Sequence, residues 1–156
     1  MIRAAAAIPL GLLVWAGPSR AAEPEPLRCH GPGMGTMVLP TPRSLVGAVA
    51  AAFGAHMPPD EVAAQSSIRC EDGVVLACMT GANLNCGKAD VRKTSQGGDA
   101  WCREHPDASF IPMFATGHAT IYAWRCEGTR AAPERQVQTL DAKGFVADNW
   151  RRLSER

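Results

Sequence analysis

From Thr41 onward the apolar positions fall into stretches of two different periods. Leu45, Val46, Val49 and Phe53 recur at helical spacing with alanines between them. Thr41 is suited to cap that helix, Pro42 suits its first turn and Gly54 is a plausible stop. Pro58-Pro59-Asp60 then breaks the chain, and Asp60 can cap a short helix over residues 61–64. The two helices would form a small hairpin. The period then changes. Ser67-Ile68-Arg69-Cys70 and Val74-Val75-Leu76-Ala77-Cys78 flank Glu71-Asp72-Gly73, and Asp-Gly between two such runs signals a β-hairpin. A two-residue turn at Asp72-Gly73 places Cys70 opposite Val75 and Cys78 opposite Ser67, so Cys70 and Cys78 should not pair.

Residues 81–98 are polar and loop-like, and a bridge from Cys86 would help to order them. A short helix is expected over residues 100–104, capped by Asp99, ended by Pro106 and carrying Trp101 and Cys102. Ile111 to Phe114 is a brief apolar run interrupted by Pro112. Residues 118–126 have strand propensity, Glu127-Gly128 begins a turn, and residues 135–140 are the expected return strand. Asp141 is placed to cap a last helix with Val146, Trp150 and Leu153 as its apolar stripe, although Gly144 weakens the first turn. Arg69-Cys70-Glu71-Asp72-Gly73 is echoed by Arg125-Cys126-Glu127-Gly128, and more faintly by Arg28-Cys29-His30-Gly31. Two hairpins of similar plan could therefore pack side by side; chance in a Gly-rich and Cys-rich chain is the competing explanation. The pattern predicts one α+β domain over residues 43–156, with short helices and an antiparallel sheet of two hairpins. An irregular arm over residues 22–42 precedes it.

The first 21 residues change the picture. One positive charge, an apolar stretch of about a dozen residues and a small-x-small site at Ser19 and Ala21 make a secretory signal peptide, cleaved after about Ala21. The apolar stretch is too short for a stable membrane span, which needs about 20 residues. Cleavage removes two of the 16 basic residues, Arg3 and Arg20, leaving 14 against 15 acidic ones. That balance argues against a nucleic-acid partner bound through counterion release. At 46% apolar and 20% charged, the chain can bury a core. The expected location is the periplasm or the exterior.

All six cysteines, Cys29, Cys70, Cys78, Cys86, Cys102 and Cys126, lie beyond the leader, and an even count there reads as three disulfides. Six cysteines allow 15 pairings; Cys86 with Cys102 is the favoured single bridge. The absence of C-x-x-C and C-x-x-C-H gives no support to a zinc ribbon, a thioredoxin-like redox motif or covalent haem. No cofactor is implied.

The segment Gly81-Ala82-Asn83-Leu84-Asn85-Cys86-Gly87-Lys88-Ala89-Asp90, together with Thr116-Gly117-His118 and Ile121-Tyr122-x-Trp124-Arg125-Cys126, resembles a group of small exported cysteine-rich bacterial proteins of unassigned function. The likeness covers roughly residues 68–150. It implies export and a disulfide scaffold, and it brings no catalytic residues.

Strand side chains alternate, so His118, Thr120, Tyr122, Trp124 and Cys126 should share one face. Tyr and Trp combine large contact area with a polar tip and recur at binding hot spots. His118, Thr120, Tyr122 and Trp124 are therefore the candidate ligand-binding residues; the competing reading makes this face core, covered by the C-terminal helix. The leading functional expectation is an exported binding or accessory protein without catalytic activity, whose partner is an envelope protein or a small ligand. A second reading is a small hydrolase with His118 as base, oriented by Asp90 or Asp99. A third is a soft copper site, for which His30, His56, Met34, Met37, Met57, Met79 and Met113 are the available ligands. Core-filling methionines and solvated histidines are the commoner explanation. There is no G-x-S-x-G, and Gly31-x-Gly33-x-Gly35 lacks the context and the lysine of a phosphate loop.

Overall fold

The computed structural model describes residues 26–29, 37–81 and 84–154. The expected leader, most of the N-terminal arm, His30 and Met34 lie outside the described residues. In chain order the elements are β1 (Leu39–Pro40), a 3-10 turn (Arg43–Leu45), α1 (Val46–Phe53), α2 (Pro59–Gln65), β2 (Ser66–Glu71), β3 (Val74–Met79), α3 (Gln96–Glu104), α4 (Met113–Thr116), β4 (Tyr122–Glu127), β5 (Arg130–Gln136), a 3-10 turn (Ala147–Asn149) and β6 (Arg151–Arg152). This is an α+β domain with antiparallel sheets and three disulfides.

Asp72 and Gly73 both adopt positive φ, 50° and 76°, as a two-residue hairpin turn requires. The register follows: Cys70 lies opposite Val75 and Ser67 opposite Cys78. β1 and β6 flank this hairpin in the order β1-β2-β3-β6. The arm joins the sheet too, since Leu27 donates its N–H to the Leu153 carbonyl and accepts from Val75 N–H. β3 is buried on both faces. Val75 and Ala77 meet Val46, Val49, Val62 and Leu153 on the side of α1 and α2, whereas Leu76 and Cys78 meet Cys86, Phe145 and Trp150 on the other. A strand covered on both sides explains its unbroken apolar run.

Gly54 ends α1 in the left-handed region, as expected. Thr41 does not cap α1; it is buried, with Oγ1 2.7 Å from Ser66 Oγ. The second predicted hairpin forms in a sheet of its own, β4 with β5, rather than beside the first. Its return strand begins at Arg130, earlier than the expected residues 135–140, because Gly128 at φ 59° turns the chain at once. Pro133 is tolerated opposite Trp124, where the register shifts.

α3 starts earlier than expected. Ser95, not Asp99, caps it by accepting Gly98 N–H at 3.0 Å. Asp99 instead accepts Ala131 N–H from the outer edge of β5 at 2.8 Å. A Cβ on Gly97 would lie 2.1 Å from the Ala115 carbonyl, so glycine lets α3 approach α4.

The predicted C-terminal helix does not form. Asp141 caps a turn, accepting from Lys143 and Phe145 N–H, and the chain continues as a 3-10 turn and β6. In a helix Trp150 and Leu153 would share a face. Here both are buried on opposite sides of the four-stranded sheet, which only extended backbone at this spacing achieves.

The bridges are Cys29–Cys70, Cys78–Cys86 and Cys102–Cys126, so the favoured Cys86–Cys102 pairing is wrong. Cys86 packs with Leu76 and Trp150, whereas Cys102 lies in a third cluster with Ile111, Trp124 and Cys126. Each apolar cluster thus has its own bridge, and none joins the two sheets.

Candidate functional site

β4 begins at Tyr122, and the chain before it is held by Asp90. Asp90 N–H donates to the Ala119 carbonyl, and the Asp90 carbonyl accepts Ile121 N–H. The predicted strand over residues 118–126 is therefore shorter at its start, and His118 lies exposed in a turn after Gly117. Thr120 and Trp124 are 5% and 3% exposed. Trp124 Nε1 donates to Thr120 Oγ1 at 2.9 Å, giving the indole its internal polar partner. Tyr122 is half-buried, its ring edge-on to Trp124 at 6.2 Å. The aromatic face is thus core along most of its length, packed against α3 and Ile111 rather than under a C-terminal helix, while residues 108–111 bond along the edge of β4.

The same three residues, without His118, floor a groove of about 220 Å³. Phe110, Ile111, Met113, Ala123 and Val137 complete its apolar wall, with Thr116 and Gln138 at the edges. Phe110 and Val137 form the rim and are 63% and 48% exposed. Two further cavities adjoin it. One of about 230 Å³ is lined by Tyr122, Pro133, Lys93, Glu134, Arg135 and Gln136, so Tyr122 is a shared wall. The other, about 420 Å³, is polar and includes Asp90, Arg92, Thr94, Ser95 and Gln96, with Thr116 as the shared wall. Arg92 pairs with Asp90 at 2.6 Å, and its side-chain and backbone hydrogen bonds hold the Asp90 carboxyl below its ordinary value. Among the described residues, Lys93 and Arg135 form no ion pair.

Sequence reasoning found the floor of this groove and missed its rim. Phe110 and Val137 sit in irregular segments whose exposure depends on how the 108–111 loop and the end of β5 lie against β4. No periodic signal marks them.

The other readings find no assembled site. Among the described residues His118 makes no hydrogen bond or ion pair with a carboxylate, and it lines none of these cavities. The Asp90 carboxylate is occupied by Arg92, and Asp99 is bonded to Ala131 N–H. His56 is exposed beside Met57, which packs with Met79 on the first cluster, and Met113 lines the groove. Among the described residues there is no group of three or more His, Cys, Asp or Glu able to hold a metal. No helix among them is long and apolar enough to cross a membrane.

Comparisons with family models, curated proteins and solved structures found no match for this chain.

Proposed function

We propose that the protein is an exported, non-catalytic binding or accessory protein of the periplasm or the exterior, and that the groove beside Tyr122 is its binding surface. The observation that carries this reading is the rim: Phe110 and Val137 stand exposed over a floor made by Trp124 and Tyr122. Clustered exposed apolar residues beside a concavity mark interaction sites more often than chance placement does. Three disulfides suit an oxidising compartment, and so does the leader-like N-terminus. The likeness to small exported cysteine-rich bacterial proteins points the same way.

Trp124 is too deeply buried to test the surface without disturbing the core. The rim is the better target. Native mass spectrometry of protein recovered from its own host should show a retained molecule or partner. A Phe110→Ser/Val137→Ser double variant should lose it while keeping its fold, and Val91→Ser, also at an exposed apolar position, should retain it. A wild-type protein that carries nothing, or a rim variant that retains the same occupant, would overturn the reading.

A further inference from the structure

The groove and its neighbour differ in chemistry across one side chain. On the groove side Tyr122 faces Phe110, Met113, Trp124 and Val137. On the other side it meets Lys93 and Arg135. We propose that this pair of cavities binds single-chain anionic amphiphiles of the fatty-acid type, with the hydrocarbon in the groove and the acid head at Lys93 and Arg135. The inference rests on the reading of the groove as a binding surface.

Three observations carry it. The two cavities, about 220 and 230 Å³, reach the volume range of small-molecule sites only together, and a ligand that uses both must cross the Tyr122 wall. Phe110, Ile111, Met113, Trp124 and Val137 make most of the groove lining apolar. Thr120 Oγ1 already accepts from Trp124 Nε1, which leaves the Thr116 hydroxyl at the edge as the groove's buried polar atom without a partner among the described residues. An apolar chain is therefore the occupant it rewards. The second cavity has two cations and one carboxylate, Glu134, and none of the three is in an ion pair among the described residues. Other described cations, Lys88, Arg103 and Arg130 among them, form no ion pair either, so what distinguishes Lys93 and Arg135 is their place in one cavity beside the groove. The excess positive charge complements a carboxylate head that stays partly hydrated at the open rim.

Calorimetric titration of the disulfide-intact protein with octanoate, decanoate and 1-decanol tests this. Decanoate should bind at one site, with octanoate weaker by roughly ten-fold, the effect of about two buried methylenes. Decanol, with the same chain and no charge, should also bind at least ten-fold more weakly. A Lys93→Glu/Arg135→Glu variant should lose at least ten-fold for decanoate and nothing for decanol. Should that variant fail to fold, raising the salt on the wild type serves instead, weakening decanoate and sparing decanol. Equal binding of decanol and decanoate, or indifference to both charge reversal and salt, would overturn the anionic-head assignment and leave the groove reading standing. If no chain compound binds while the rim variant still loses a native occupant, the ligand class is wrong and the binding surface stands. A protein recovered as that occupant has the same meaning.

Discussion

Arg69 occupies a position on β2 where its partner across the sheet, Leu76, and the diagonal Cys78 are packed in an apolar cluster. Its guanidinium carbon lies 4.5 Å from the Phe145 ring centroid and 4.7 Å from that of Trp150. Its Nη2 is bonded to Asp141 and Glu71. Two rings and two carboxylates offset part of its burial, with Nε and Nη1 left without hydrogen-bond partners among the described residues, and the Asp141 carboxylate that holds it also caps the turn that delivers Phe145. Replacing Arg69 with Met leaves two partly exposed carboxylates without their cation and should cost roughly 1–3 kcal/mol, read from urea unfolding. Nothing in the sequence announced this. Arg69 stood out only as a letter in a short Arg-Cys echo, because burial of a charge depends on partners 72 residues away. Asp90 gives a milder, pH-dependent case. Its carboxyl is held below the ordinary value of 3.8 by Arg92, so the stabilisation is complete above that value and is lost as the pH falls through the lowered one. NMR titration should find the Asp90 pKa raised towards 3.8 in Arg92→Ala.

Among the elements, those fixed by local chemistry were legible and those fixed by distant packing were not. The Asp72-Gly73 turn determined the register of the first hairpin, and Gly54 determined the end of α1. The last segment looked helical because Val146, Trp150 and Leu153 fit a helical stripe, yet two clusters on opposite sides of a sheet claim Trp150 and Leu153. The sequence pattern starts α3 only at residue 100 because Gly97 and Gly98 read as loop, whereas Gly97 lets the Ala115 carbonyl approach. Gly97→Ala should therefore destabilise by roughly 1–3 kcal/mol in chemical denaturation, despite alanine's better helix propensity. The bridges close loops of different size, with separations of 41, 24 and 8 residues. Chain entropy alone ranks their removal at roughly 4, 3.5 and 2.5 kcal/mol. Paired Cys→Ala variants should follow that order, Cys29/Cys70 losing most and Cys78/Cys86 least.

At the scale of the molecule, the α+β class and the disulfide scaffold were readable from cysteine count and period changes. The connectivity was not, since it depends on which apolar cluster each cysteine enters. Peptide mapping of protein recovered from the host should find the three bridges described above and an N-terminus near residue 22. The floor of the groove was legible through the alternation of Thr120, Tyr122 and Trp124; its charged neighbour was not, because Lys93 and Arg135 meet only through the fold.

Residues 91–138 leave and rejoin the rest of the chain beside Ile121, whose N–H bonds to Asp90 and whose carbonyl accepts from Val137. That stretch contains the whole β4–β5 sheet, its own cluster, its own cross-link and the entire apolar groove. It is a cassette with adjacent ends. Transplanted onto two neighbouring backbone positions of another host protein, it would carry the groove with it, and the donor, closed by a short glycine linker, would keep its larger sheet and both remaining cross-links.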